Sequence, residues 1–390
     1  MEGIELQALH DKLLVGNLDP KELKTAERYQ KTSFPQGIPE CGADALRLAL
    51  VGYTTGGGDI AFDVSVIHGY RRFCNKIYQA TKFVLGKIGD DFVPQKTGQK
   101  TGKESLAERW ILHKLSIASK EINERLEARE FSNSTQVAYK YWYDNLCDVF
   151  IEESKAITQT GTPEQQRSAQ DTLYTALEGG LTMIHPFMPF LTEELWQRLP
   201  RRPGDNTPSI VKAAYPQYVK DLDNPVSEAE YELLLGCSKG IRSLMAEYMI
   251  KDEGKAFVQA LNEVSCNTAK EEVQSIHALA GKGVASVEVL SKDDATPTGC
   301  AVYSVSSNAT VFLKVKGRVD IDAEIKKGKE KMKKAADGVE KQRKILHAPD
   351  FEEKVSGAVQ AAERQKLEDF LTEQRNRELS IQQFEQLKLE

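Results

Sequence analysis

Apolar positions recur three and four residues apart along most of this chain, which is the spacing of helices that bury one face. In "LQALHDKLL" the pattern is short, and in "NLDPKELKTAERYQ" Asp19 stands as an N-cap with Pro20 at the first helical position. Pro35, Gly37 and Pro39 then hold an extended stretch that runs into a helix over Gly42 to Val51, with Asp44 in its first turn. After the loop "TTGGGD", residues 64–88 form a long amphipathic helix. A further loop leads to a helix over Leu106 to Leu126, and "STQVAYKYWYDNLCDVFIEESKAI" makes one more, rich in aromatic residues. The segment "PEQQRSAQDTLYTALEGGLTMIHPFMPFLTEELWQRLP" holds a helix that stops at His185-Pro186 and a shorter one after it. Four or five helices of about 20 residues with short loops predict an antiparallel bundle over 64–199.

The pattern changes beyond a Pro- and Asp-rich connector at 200–224. The helix "EAEYELLLGCSKGIRSLMAEYMI" is read on through "KDEGKAF", and "ASVEVL" and "GCAVYSVSSNATVFLKVKG" are strand-like, with a Ser-Asn turn in the second. Ile321, Ile325, Gly328, Met332, Ala335, Val339 and Leu346 nearly keep a heptad; "HAPD" breaks it, and Phe351, Val355, Val359 and Ala362 begin a returning helix. The fold class predicted is mainly α: an antiparallel helical bundle, a small α+β region, and a C-terminal antiparallel coiled-coil hairpin.

With 390 residues the chain can build two or three domains. Its 52 basic and 58 acidic side chains leave a net charge of −6, which excludes a bulk cationic nucleic-acid binder but not local basic surfaces. Six scattered cysteines without a CxxC pair make a zinc site or a disulfide framework an unexpected outcome; reduced thiols packed as small hydrophobes are expected. The N-terminus has acids where a signal peptide has bases, and no run of about 18 apolar residues occurs, so a soluble, cytoplasmic protein without membrane contact is expected.

Candidate chemistry is sparse. "TTGGGD" lacks the GxxxxGK[ST] spacing of a phosphate loop, the Phe and Met residues of "HPFMPF" are expected in the core, and Asp59 with Asp63 is too little for acid–base catalysis. Two basic surfaces stand out instead. On the 64–88 helix, Tyr70, Phe73, Ile77 and Val84 sit at core spacing, while Arg71, Asn75, Tyr78 and Lys82 share one outer face and Arg72, Lys76 and Gln79 the face beside it. Such cations and amides beside rings can pair phosphates and stack on unpaired bases, and Phe73 is counted among the contacts. On the hairpin, residues 326–344 carry nine bases and three acids, a net of +6, so Lys326, Lys327, Lys329, Lys333, Lys334, Lys341, Arg343 and Lys344 are candidates for a backbone clamp.

"SFPQGIPECGADALRLALVGYTTGGGDIAFDV", "GYRRFCNKIYQATKFVLGKIGDDFVP", "ESLAERWILHKL" and "IHPFMPFLTEELWQRLPRR" together resemble the C-terminal region of eukaryotic, fungal-like cytosolic valyl-tRNA synthetases, of the class I aminoacyl-tRNA synthetase family. The resemblance runs over essentially the whole chain. It implies a stem-contact-fold segment at 1–63, an anticodon-binding helical bundle with its connector at 64–224, a small α+β domain at 225–319, and a coiled-coil arm at 320–390 that rests on the outer corner of tRNA. It also implies what lies elsewhere: the Rossmann domain with its HIGH motif, the editing domain, and a KMSKS loop placed just before residue 1. "KMKKA" at Lys331–Ala335 imitates that loop but lacks the preceding strand. ATP and magnesium are bound by the family's catalytic domain, so no cofactor is expected in this chain, which alone should not activate valine. The implied partner is tRNA(Val), with a catalytic synthetase chain or translation factors as further partners. Departures from the family stand at Gly58, where Arg is usual, at Ala61-Phe62, and at Met249, where Asn follows the tyrosine. The rival expectation is a non-catalytic paralogue of the synthetase that acts as a protein-interaction module.

Overall fold

The computed structural model describes residues 3–54, 63–96, 100–306, 308–317, 320–348, 351 and 357–389. The readings at Gly58, Asp59, Ala61-Phe62 and Val355, and those of the Val359 and Ala362 side chains, lie outside what is described. The chain is mostly helical with one small four-stranded sheet, and it divides into two compact units, Met1–Ser227 and Glu228–Glu390. This division is coarser than the four segments drawn from sequence.

The first unit contains α1 (Leu6–Leu14), α2 (Pro20–Ser33), α3 (Ala43–Gly52), α4 (Val64–Ile88), α5 (Leu106–Glu127), α6 (Phe131–Lys140), α7 (Ile151–Thr160), α8 (Pro163–Ile184) and α9 (Pro189–Trp196). Polar caps start several of them. Asp19 accepts from Lys21 N, Asp63 from Ser65 N and Ser105 from Glu108 N, and Thr162 forms a full capping box with Gln165. The extended entry to α3 needs glycine: Gly37 has φ +79°, and a Cβ there would come within 2.2 Å of Ile4 O, where Ile4 and Ile38 exchange backbone bonds of 2.7 and 2.8 Å. Asp44, buried at the start of α3, accepts from the backbone N–H of Phe190 (3.3 Å) and Leu191 (2.6 Å) and so caps α9, while Arg47 donates to Pro186 O at 3.1 Å. The Pro-rich break at 186 and the "GADALR" helix are thus two sides of one clamp.

The aromatic helix expected over 134–157 is instead α6, a π-helical stretch over Tyr141–Phe150, and α7. Its two large neighbours, Tyr141 and Trp142, both reach into α8, donating to Ala176 O and Gly180 O at 2.9 Å. Gly180 provides the notch, since a Cβ there would lie 3.0 Å from the Trp142 ring. Trp142, Leu146 and Phe150, four apart, all stay buried, which the wider helix allows.

The second unit comprises α10 (Pro225–Glu247, whose first turn carries the boundary), β1 (Gly254–Ala260), α11 (Glu263–Glu271), α12 (Val273–Ala280), β2 (Val284–Leu290), β3 (Cys300–Ser306), β4 (Ala309–Lys314), α13 (Ile321–Leu346) and α14 (Gly357–Leu389). The strand order is β2-β1-β4-β3, with β1 and β2 parallel across the α11–α12 crossover and the other pairs antiparallel. The helical reading through "KDEGKAF" is corrected here. The α10 helix ends at Glu247, Met249 turns left-handed at φ +52°, and "GKAFVQA" is a central strand of the sheet. Helices α13 and α14 run antiparallel: Asp322 meets Lys388, Lys329 meets Glu385, and Gln342 meets Glu363. Along the edge of β3, Asn376 of α14 accepts from Ser304 N, and Ser380 accepts from Val302 N and donates to Val302 O. These bonds join α14 to the sheet across the boundary drawn at 319/320.

Candidate nucleic-acid interface

The α4 helix buries Phe73, Ile77, Ala80 and Val84 and turns its opposite side outward. Arg71, Asn75, Tyr78 and Lys82 are all exposed, as are Arg72 and Gln79. Among the described residues Arg71, Arg72 and Lys82 have no ion pair. Arg71 lies against the glycine that opens α3, its Nη1 3.4 Å from where a Gly42 Cβ would stand.

Two expected contacts need correction. Phe73 is 1% exposed and packs at 4.6 Å on the Tyr139 ring, so it cannot stack on an incoming base. Its core spacing in the helix already required this. Lys76 is half-buried and held: its Nζ lies 2.5 Å from Asp148 and 3.3 Å above the Tyr143 ring. Burial works to lower the Lys76 pKa, and the bond to Asp148 and its charge outweigh it, leaving the ammonium above its usual range.

The structure also brings in residues the sequence reading did not place at this surface. In "HPFMPF", Phe187 and Met188 are buried as expected, but Phe190 is 67% exposed on the first turn of α9. Beyond it, Arg198 pairs with Glu194 and senses the Tyr78 phenol, and Arg201 stacks 3.4 Å from the Trp196 ring centre. A proline at the first helical position followed by a helical apolar run hid Phe190, because only tertiary packing decides which of those ring faces is covered.

In the second unit, at 100° per residue Lys326, Lys333, Lys334, Lys341 and Lys344 fall on one arc of α13 opposite the buried Ala335 and Val339. Three acids, Glu330, Asp337 and Glu340, interleave with them. Lys327 pairs with Glu324 at 3.2 Å, Lys329 with Glu385 at 2.8 Å and Lys344 with Glu340 at 2.7 Å. Lys326, Lys333, Lys334, Lys341 and Arg343 are exposed without an ion pair among the described residues. Lys331 is drawn inward, where it and Arg377 donate to Glu247 at 2.8 and 2.6 Å. Burial works to raise the Glu247 carboxyl, and the Lys331 bond with the Arg377 charge more than offsets it, so the carboxyl sits below its ordinary range.

Long outward cations on helices, next to exposed rings, suit a phosphate backbone and unpaired bases better than a small substrate. Among the described residues, no group of three or more His, Cys, Asp or Glu is placed to hold a metal ion, and no helix is long and apolar enough to cross a membrane.

A family model described as the anticodon-binding domain of tRNA ligase matches residues 108–260, from α5 to β1, leaving α4 and α13 outside the matched span. The mitochondrial valine–tRNA ligase of Saccharomyces cerevisiae is 47% identical over 99% of this chain and 35% of its own length. The valine–tRNA ligase of Schizosaccharomyces pombe is 47% identical over 80% of this chain and 32% of its own length. The human valine–tRNA ligase is 39% identical over 99% of this chain and 30% of its own length. The chain therefore spans about a third of the length of the curated relatives it matches. Along nearly all of its residues, this chain belongs with the C-terminal part of valyl-tRNA synthetases, and its residues 108–260 carry the match to the anticodon-binding domain of tRNA ligase.

Proposed function

We propose that the chain holds tRNA(Val) for valine–tRNA ligase, either within the full enzyme or as a free-standing relative of its C-terminal part. The α4 face supports the anticodon stem and loop, the outer arc of α13 supports the outer corner, and the chemistry of ATP-dependent charging takes place in machinery this chain does not supply. The observation that carries the reading is the row of exposed cations on α4, Arg71, Arg72 and Lys82, which have no ion pair among the described residues, with Tyr78 exposed on the same helix. The test is salt-dependent binding of tRNA(Val) against a noncognate tRNA. A cognate preference, with a salt slope that falls by about one when Lys82 or Lys333 is changed to Glu, supports the reading. Equal, negligible binding of both tRNAs overturns it. An ATP–pyrophosphate exchange assay with valine tests separately whether the chain alone activates the amino acid; no exchange is expected.

A second reading, a protein-interaction module that partners a catalytic synthetase chain or a translation factor, draws on the internal pairing of Lys76, Lys329 and Lys344, which withdraws three cations from any phosphate. Placement in the cytoplasm belongs to the same proposal; one relative carries a mitochondrial name, so fractionation of a tagged chain decides between the compartments.

A further inference from the structure

We propose that the groove between α4 and α6, floored by Gly69 and walled by Tyr70 and Tyr139, receives one unpaired base of a bound RNA. This rests on the tRNA-binding reading above and gives it a pocket that none of the cations on α4 supplies.

The groove encloses about 330 Å³ and is lined by Val66, Gly69, Tyr70, Thr135, Gln136 and Tyr139. Gly69 is its most informative residue. Glycine inside a helix lowers helix stability relative to alanine, and what surrounds its missing Cβ can supply a reason for it. In α8 the reason is visible: a Cβ on Gly179 or Gly180 would come about 3 Å from Leu115 or Trp142. At Gly69, as at Gly86 further along the same helix, a Cβ would meet nothing within 4 Å among the described residues, so no described neighbour requires the notch.

The walls are set for a planar ring. Tyr70 and Tyr139 stand at 89° with centroids 6.2 Å apart, so a base lying on one ring turns its edge to the other. Tyr139 is braced by Tyr143, stacked at 10° and 5.3 Å, and by Phe73 at 4.6 Å, which leaves little ordering to be done on binding. Burial pushes both the Tyr70 and the Tyr139 phenol up, so each stays protonated and able to donate. The exposed Gln136 amide offers a donor and an acceptor at the rim, which is what a base edge requires. Gly69, Arg72 and Lys76 follow one another at i, i+3 and i+7 along the same side of α4, so the Arg72 guanidinium, with no ion pair among the described residues, is one turn from the groove, where the phosphate of an inserted nucleotide would lie.

The test uses the full chain and a tRNA(Val) transcript, with binding followed by fluorescence anisotropy across a salt series. Gly69→Leu fills the groove from its floor, where a Cβ meets nothing within 4 Å among the described residues, and leucine favours the helix more than glycine does, so its melting temperature should not fall. Binding should weaken about five- to a hundredfold with the salt slope unchanged, since stacking is lost and phosphate contacts are kept. Arg72→Ala should instead lower the slope by about one. Parental affinity in Gly69→Leu overturns the proposal while leaving the tRNA-binding reading intact, and a Gly69→Leu loss that lowers the slope as Arg72→Ala does also overturns it. Displacement of the transcript by millimolar AMP, CMP, GMP or UMP would make a free nucleotide the occupant and refute an RNA base. A parent chain that binds no tRNA removes both readings together.

Discussion

Changing Met249 to glycine should make the chain more stable, even though it deletes a large apolar side chain. The α10 helix closes with Met249 N bonded to Ala246 O at 3.2 Å and Ile250 N bonded to Met245 O at 2.9 Å. This is the paired-bond ending in which the residue past the cap turns left-handed, and Met245 and Ile250, both 8% exposed, supply its apolar contact. Met249 itself has φ +52° and is 84% exposed, so its side chain buries almost nothing. A left-handed conformation costs a non-glycine residue about 1–2 kcal/mol. The greater unfolded-state freedom of glycine takes back about 0.5–1 kcal/mol. The net gain is about 0.5–1 kcal/mol, or about 1–4 °C in the melting temperature of a unit of this size. Asparagine, the residue the family resemblance puts here, tolerates the same conformation and should give part of the gain, whereas valine should lose about 1 kcal/mol through its branched Cβ. Calorimetry on the full chain measures all three. A glycine variant no more stable than the parent, or a valine variant equal to it, would show that Met249 does not hold this conformation in solution.

Asp148→Asn should release Lys76, raise RNA affinity by severalfold at low salt and steepen the salt slope by up to one, read by the same anisotropy titration. Glu247→Gln should destabilise the second unit by about 1–3 kcal/mol in urea titrations, discounted because Lys331 is one-third exposed. Because the folded Glu247 carboxyl titrates below its unfolded value, its contribution is complete above about pH 4.5 and is lost as pH falls through the depressed folded value; the variant's stability should therefore be flatter over that acid range than the parent's. Asp44→Ala should strip the cap from α9 and lower stability by about 1–2 kcal/mol in thermal melts, with Asp44→Asn recovering part of it.

Much of the first unit could be read from spacing because its helices are long and their caps local. The 3.6-residue period locates α4, and the exposed positions Arg71, Asn75, Tyr78 and Lys82 follow from that period alone. The same logic placed Phe73 inward, and counting it as an RNA contact ignored that. What stayed hidden depends on distant partners. Lys76 and Asp148 are 72 residues apart, and nothing near Lys76 announces the carboxylate that holds it. The strand "GKAFVQA" is seven residues long and follows directly on a helix end whose signal, a left-handed methionine, is not the glycine that usually marks one. The π-helical stretch depends on a notch at Gly180, set by a different helix. The groove at Gly69 was invisible for a related reason: a glycine in an amphipathic helix looks the same in sequence whether a neighbour fills its notch or leaves it open.

Asn376 and Ser380 stand one helical turn apart, about 6 Å, and the backbone groups they meet on Val302 and Ser304 are spaced by nearly the same rise of two strand residues. Two rulers of different periodicity agree only over such a short span, so the match fixes both the height and the rotation of α14 on the sheet. Since α13 is zipped to α14 by Ile381 over Gly328 and Phe370 over Gly338, the azimuth of its lysine arc is inherited from a β-strand border. An arm aimed in this way cannot be trimmed off as a detachable appendage, because its removal would uncover the donors and acceptor of β3 and leave them to recruit a strand from another molecule.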